Sequence, residues 1–172
     1  MSRIYYNISG GDNYLRIYLE TTAFNYYFDR QREGHEDVVQ LFEAIAHGRY
    51  EGFTSDYVTD ELEDCEEPKR GMMLTLIDSH GIKAFEVNDD AKHLAGMYIS
   101  NGIIPASKFY DSVHIAAASV FMMDAIVSYN FAHINRRKTK LLTAGINNEY
   151  GYGSIMICTA KEVLEYGEVR NI

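Results

Sequence analysis

Three acidic side chains stand where a chain of alternating strands and helices would bring them together. Glu20 directly follows an apolar run at residues 15–19, Glu61 lies on a helical segment after a second run, and Asp111 lies in the first turn of a strongly helical segment. Converging carboxylates bind hard divalent cations, which activate water and stabilise the charge that develops on a phosphate. These residue types are the ones that metal-dependent phosphodiester hydrolysis would need.

Each of these residues also has a simpler explanation. Glu20 and Asp111 suit the positive N-terminal end of a helix, and Glu61 belongs to a strongly acidic stretch that a solvated helix face would explain. His114 shares a helix face with Asp111, where it is either a packed, hydrogen-bonded residue or a metal ligand. Single residues therefore leave the chemistry open.

The elements that must position these residues follow from hydrophobic spacing and from capping and turn residues. Strands are predicted at 15–19, 50–54, 83–87, 124–128 and 154–158, and helices at 21–28, 36–46, 55–62, 68–79, 89–100, 107–122 and after the Thr159/Glu162 capping box. Strands that alternate with helices predict a three-layer α/β/α domain with a mainly parallel central sheet. The sites of such sheets lie beyond the carboxyl ends of the strands, where Glu20, Glu61 and Asn130 fall.

Length and composition limit the classes of protein. The 172 residues fit one domain at 15–172, preceded by an extension at 1–14 with a turn at 10–13. A net charge of −9 argues against general electrostatic binding of nucleic acid, so such binding needs a local site. Cys65 and Cys158 have no zinc or disulfide spacing, and no apolar run or leader indicates a membrane, so we expect a reduced, cytoplasmic protein.

Four segments, taken in order, resemble the PIN-domain family, and in particular its branch of VapC-like toxins. They are residues 17–29, 54–62, 111–118 and 124–134, the last with Tyr129 where that branch usually has Trp. A tail at 147–159 is also similar, so that the resemblance covers the chain from about residue 15 to its end.

The resemblance implies a ribonuclease that depends on Mg²⁺ or Mn²⁺ and cleaves RNA, often as the toxin of a toxin–antitoxin pair with a small antitoxin protein. The catalytic acids then map onto Glu20, Glu61 and Asp111, and Asn130 joins them as a metal ligand. Two positions depart from the pattern, because Glu20 and Asn130 stand where the family usually has Asp. An amide at the fourth position would weaken binding of a second cation.

The same resemblance assigns supporting roles around the acids. Thr22, Ser128 and His114 would orient the acids or a metal-bound water, although local capping explains the two hydroxyls equally well. Asp124 would partly compensate for Asn130, or alternatively caps a helix end or starts a strand.

Two surface features suggest partners. Basic residues follow the last motif, where they either contact RNA phosphates or form a solvated loop: Arg136, Arg137, Lys138 and Lys140. The aromatic run at residues 26–28, together with the family resemblance, predicts a homodimer.

Other functions fit less well. A PIN-like module that binds RNA or protein without catalysis remains the main alternative, because of Glu20 and Asn130. A phosphatase of the haloacid-dehalogenase type needs Asp-x-Asp after the first strand, where this chain has Glu20-Thr-Thr22. A dinucleotide-binding enzyme needs a glycine-rich turn there, and none is present.

Overall fold

The structure of the protein is a computed structural model, and it describes residues 14–170, without the side chain of residue 170. The predicted N-terminal extension therefore lies outside the described residues except for Tyr14. Within residues 14–170, no helix has the length and apolar character needed to span a membrane.

A single parallel sheet forms the centre of the described chain. Its strands are β1 (Arg16–Leu19), β2 (Glu51–Ser55), β3 (Lys83–Phe85), β4 (Ala125–Val127) and β5 (Met156–Cys158). They lie in the order β3-β2-β1-β4-β5, and every neighbouring pair is parallel. The prediction of a mainly parallel sheet is confirmed.

Eight α-helices and one short 3₁₀ helix (Ala106–Lys108) surround the sheet in the described residues. The α-helices are α1 (Thr21–Phe28), α2 (His35–Ala46), α3 (Asp56–Glu63), α4 (Lys69–Ser79), α5 (Asp89–Ser100), α6 (Phe109–Val120), α7 (Arg137–Glu149) and α8 (Ala160–Arg170). Ile17, Tyr18 and Leu19 are consecutive in β1 and all fully buried. Since neighbouring residues of a strand point to opposite faces, helices cover both sides of the sheet, and the three-layer prediction is confirmed.

Polar residues at the starts of the helices have two different roles. The capping box of α8 is present, with the Thr159 N–H donating to Glu162 Oε2 at 2.7 Å. Thr21, Thr22 and Ser55, in contrast, make no capping hydrogen bond. Their hydroxyls bind other side chains, so these residues at the starts of α1 and α3 belong to a polar network.

One helix is absent from the predicted elements. The basic residues that were expected in a loop begin α7, with Arg136 as its N-cap residue and Arg137 and Lys138 in its first turn. The buried positions of α7 are Thr139, Thr143 and Asn147, which are polar and lie four residues apart.

Both cysteines are free thiols, Cys65 half-buried and Cys158 buried. Burial raises the pKa of the Cys158 thiol to about 12, so it stays protonated.

Candidate functional site

The candidate site lies at the carboxyl edge of β1, β2 and β4. Chain order reverses between β1 and β4, because β2 and β3 extend to one side of β1 while β4 and β5 extend to the other. Crevices open at such reversals in parallel sheets. Glu20 follows β1, α3 with Glu61 follows β2, and Ser128 follows β4.

Glu61 is held by a chain of hydrogen bonds that leads into the core. Its Oε2 accepts from the Thr21 hydroxyl at 2.5 Å and from Nε2 of His114 at 2.8 Å. Nδ1 of His114 is hydrogen-bonded to the Tyr18 hydroxyl at 2.9 Å, and that hydroxyl to Ser55 Oγ at 2.7 Å. Both ring nitrogens of His114 thus have partners, which fixes the orientation of the ring.

The buried His114 forms an ion pair with the partly exposed Glu61, at 2.8 Å between Nε2 and Oε2. Burial alone would lower the pKa of His114, but the hydrogen bond and charge of Glu61, with the charges of Glu20 and Asp111, raise it above its usual value. Burial alone would raise the pKa of Glu61, but the hydrogen bond and charge of His114 and the Thr21 hydroxyl hold it below its usual value. Each partner therefore favours the charged form of the other.

Glu20 is the most buried of the three acids, with 3% of its surface exposed. Burial raises its pKa, against the opposing charge of His114 and hydrogen bonds from Thr22 and Ser128. Thr22 donates to Glu20 Oε2 at 2.5 Å and accepts from the Tyr129 N–H at 2.8 Å. The hydroxyl of Thr22 thus connects the ends of β1 and β4.

Asp111 brings a third carboxylate to the same histidine. It lies in the first turn of α6, half-buried, and its charge contributes to the raised pKa of His114. Its Oδ2 atom is buried and has no hydrogen-bond partner. A buried carboxylate oxygen without a donor is costly, and a cation is one way to satisfy it.

The side chain of Asn130 stabilises the turn in which it lies. Its Oδ1 accepts from the His133 N–H at 3.1 Å, and its N–H donates to Ser128 Oγ at 3.0 Å. The side-chain oxygen predicted to bind a metal is therefore engaged in the turn that follows β4.

Asp124 lies at the other edge of the sheet. It precedes β4, and its Oδ2 accepts from the N–H of Arg16, the first residue of β1, at 2.7 Å. The structure does not bring Asp124 to the acids, and its alternative role at the start of a strand is the one observed.

The basic cluster divides into different environments. Arg136 is partly buried and donates to the Ile103 carbonyl at 3.0 Å and to Thr139 Oγ1 at 3.1 Å, so it supports the fold. Lys138 is exposed and donates to the Gly102 carbonyl at 3.3 Å, and Arg137 is exposed. Arg137 and Lys138 thus present cations at the surface in the way that phosphate binding needs, whereas Lys140 is half-buried.

The donor set fits a hard cation by its chemistry, since it consists of carboxylates. Among residues 14–170, however, no group of three or more His, Cys, Asp or Glu side chains is arranged to hold a metal ion. The acids share His114 as a neighbour but do not form a complete coordination shell in this conformation.

No protein-family model matches the sequence, and no curated protein matches it significantly. Solved structures that share its fold include two proteins of the VapC type. One is VapC20 of Mycobacterium tuberculosis, described as a Sarcin-Ricin loop cleaving toxin, with a TM-score of 0.52 and 12% identity over 81% of this chain and 98% of that chain. The other is VapBC2 from Rickettsia felis bound to a DNA fragment from their promoter, with a TM-score of 0.53 and 10% identity over 83% of this chain and 97% of that chain.

These likenesses show that the chain has the fold of VapC-like PIN-domain toxins, as the sequence resemblance predicted. At 10–12% identity they establish the fold and not the activity. Function in such folds is set by the residues of the site.

Proposed function

We propose that the protein is an endoribonuclease that depends on Mg²⁺ or Mn²⁺, with Glu20, Glu61 and Asp111 as its acids. The observation that carries the proposal is the arrangement of the acids at the carboxyl edge of the sheet. Glu61 contacts the buried His114 at 2.8 Å, Asp111 lies one turn before His114 on α6, and Glu20 precedes Thr21, whose hydroxyl donates to Glu61. Like charges gather in this way at a cost, which a bound cation would offset.

The three acids differ in their readiness to bind a cation. Asp111 Oδ2 is buried without a partner, and the hydrogen bonds of Glu61 both fall on Oε2, which leaves Oε1 for a cation. Glu20 is oriented by Thr22 and Ser128. When bound, the metal would supply an activated water and stabilise charge on the phosphate.

The surrounding residues act by orientation. Thr21 and His114 fix the carboxylate of Glu61, and Tyr18 in turn fixes the ring of His114. Outer residues of this kind set the geometry of the ligands and typically change metal affinity or activity about 10- to 100-fold when they are removed. Thr22 performs the same task for Glu20.

RNA is the proposed substrate, and a small antitoxin protein the proposed partner. VapC20 is described as cleaving the Sarcin-Ricin loop, and VapBC2 as bound to a DNA fragment from their promoter. Likeness of fold to these proteins supports a toxin of a toxin–antitoxin pair. Arg137 and Lys138, in the first turn of α7, are the cations proposed to contact RNA phosphates.

A cleavage assay tests the proposal. Purified full-length protein is incubated with structured and single-stranded RNAs in Mn²⁺, in Mg²⁺ and in excess EDTA. We expect cleavage only with metal, its loss in Glu61→Gln, and unchanged cleavage in Glu36→Gln, which alters an exposed glutamate in the first turn of α2. Cleavage that persists in EDTA would contradict the metal dependence.

A second function is favoured by specific observations. Asn130 uses its oxygen within a turn, and residues 14–170 contain no complete cation site. A PIN-like module that binds RNA or protein without cleaving RNA would have these features. RNA binding without metal-dependent cleavage of any substrate would favour this second function.

The homodimer stays a prediction. The aromatic run at residues 26–28, which suggested it, gives less support for a dimer in the structure than in the sequence. Tyr26 stacks on Tyr129 at 3.9 Å between ring centroids, and Tyr27 packs against Phe28 and Phe42. These aromatic rings are thus partly used within the chain.

A further inference from the structure

An aromatic cluster lies one helical turn from the proposed acids. Tyr57 precedes Glu61 by four residues in α3, and Tyr110 precedes His114 by four residues in α6, so each pair shares a helix face. His114 contacts Glu61 at 2.8 Å, and the rings of Tyr110 and Tyr57 meet with centroids 4.7 Å apart. The aromatic contact is therefore displaced from the His114–Glu61 contact by about 6 Å along the helix axes, which is the rise of four helical residues.

The cluster is anchored on one side and open on the other. Tyr57 is half-buried and also contacts Phe109, with ring centroids 6.5 Å apart. Phe109 and Tyr110 remain 37% and 42% exposed. Tyr110 and Asp111 lie four and three residues before His114 in α6, so the cluster and the acid whose buried oxygen lacks a partner are both about one helical turn from His114.

We propose that Tyr57, Phe109 and Tyr110 form a base-binding site that stacks an unpaired nucleobase of the RNA beside the phosphate to be cleaved. This site rests on the proposed function and specifies its substrate, because only an unstacked base can lie on an aromatic ring in this way. The substrate class is therefore single-stranded RNA, or a loop with an extruded base.

Charge and size both favour a base as the occupant. With a net charge of −9, the chain gains little from general attraction to phosphates, whereas stacking does not depend on charge. Two rings at 37% and 42% exposure present under about 200 Å² of surface. A protein partner usually covers about 800 Å² per side, so this surface fits one or two bases better than a protein.

The test measures binding without cleavage. Fluorescence anisotropy in excess EDTA gives the dissociation constant of full-length protein for a labelled single-stranded RNA of about ten nucleotides. A second probe has the same length of sugar–phosphate backbone without bases. The variants are Tyr110→Ala, Phe109→Ala and Tyr110→Phe, and the control is Tyr166→Ala, which removes a tyrosine of α8 that is 47% exposed.

We expect Tyr110→Ala and Phe109→Ala to raise the dissociation constant for RNA between about fivefold and a hundredfold. Tyr110→Phe keeps the ring and should stay within about twofold of the wild type, as should Tyr166→Ala. On the abasic probe, wild type and Tyr110→Ala should be equal. Thermal unfolding shows whether each variant is folded. If Tyr110→Ala does not fold, the binding result for Phe109→Ala decides the test.

The proposal is overturned if wild type does not bind RNA, if the alanine variants bind RNA as wild type does, or if they lose affinity equally for the abasic probe. An unchanged affinity for RNA would assign the rings to a protein contact instead. Because binding is measured without metal, a wild type that binds RNA but never cleaves it refutes the nuclease and leaves the base site standing.

Discussion

Replacing His114 with Phe removes the centre of the polar network while keeping a ring in the core. His114 is 1% exposed and contacts Tyr18 at 2.9 Å and Glu61 at 2.8 Å. In His114→Phe, Tyr18 keeps Ser55 as a partner and Glu61 keeps Thr21. The main loss is therefore the charged contact between His114 and Glu61.

The size of the effect follows from that contact. A hydrogen bond between charged groups contributes about 1.5–3 kcal/mol, against about 0.5–1.5 kcal/mol for a neutral one. Packing costs of the new ring do not depend on pH. We expect His114→Phe to lower the free energy of unfolding by about 2 kcal/mol at pH 6, and by about 1 kcal/mol less at pH 9.

The direction of the pH effect follows from the two pKa shifts. The pKa of His114 is raised in the folded protein, so its contribution is complete below its unfolded value of about 6.5 and is lost as pH rises through the folded value. The pKa of Glu61 is lowered, so its contribution is present above about 4.5 and is lost as pH falls through the folded value. The pair therefore contributes most between about pH 4.5 and 6.5.

Urea unfolding in EDTA at pH 6 and pH 9 measures the effect on metal-free protein. The matched control is His93→Phe, at an exposed histidine of α5, which should change stability little at either pH. Equal destabilisation by His114→Phe at the two pH values, or a larger loss at pH 9, would refute the ion pair.

Three further predictions concern the metal and the oligomer. Asn130→Asp keeps the oxygen that accepts from the His133 N–H and adds a carboxylate, so it should tighten Mn²⁺ binding about tenfold by calorimetry; an unchanged affinity contradicts a fourth ligand position. Thr21→Val removes the hydroxyl that holds Glu61 and should lower Mn²⁺ affinity about tenfold, while exposed Thr75→Val should not; equal effects would count against orientation by Thr21. Sedimentation equilibrium should give the mass of a dimer, and monomer alone at high concentration would remove that prediction.

The strands were the most predictable part of the fold. The apolar runs that end at Leu19 and Val127 are buried on both faces, and a central parallel strand imposes that pattern locally. The order of strands and helices then dictated a parallel sheet and placed Glu20 at its carboxyl edge. Local sequence was sufficient here because each strand carries its own signal.

Helix α7 could not be found in the same way. Its buried face is formed by Thr139, Thr143 and Asn147, whereas Leu141 and Leu142 are 63% and 42% exposed. Hydrophobic spacing therefore points to the wrong face. The buried positions are stabilised by hydrogen bonds such as Thr143 Oγ1 to the Thr139 carbonyl at 2.7 Å, which a hydrophobic pattern cannot register.

The acids of the candidate site were predictable as positions, but the groups that hold them were not. Tyr18, Thr21 and Ser55 join residues 37 to 96 positions apart, and only tertiary packing brings such pairs together. One signal was available, because a tyrosine in a fully buried strand needs a partner for its hydroxyl. For Asp124 the predicted position was wrong. Its acidic character suggested a place in the site, but it precedes β4 and therefore lies at the opposite edge of the sheet.

Asp111→Asn tests the central claim most directly. The substitution removes one negative charge from the cluster around His114, so metal-free stability should change little, while loss of a metal-holding charge should cost about 3 kcal/mol or more in transition-state stabilisation. With Mn²⁺ and single-stranded RNA, we expect wild type to cleave and Asp111→Asn to cleave at least about a hundredfold more slowly. Equal rates for the two proteins, or a wild type that neither cleaves RNA nor binds Mn²⁺, would contradict a metal-dependent ribonuclease.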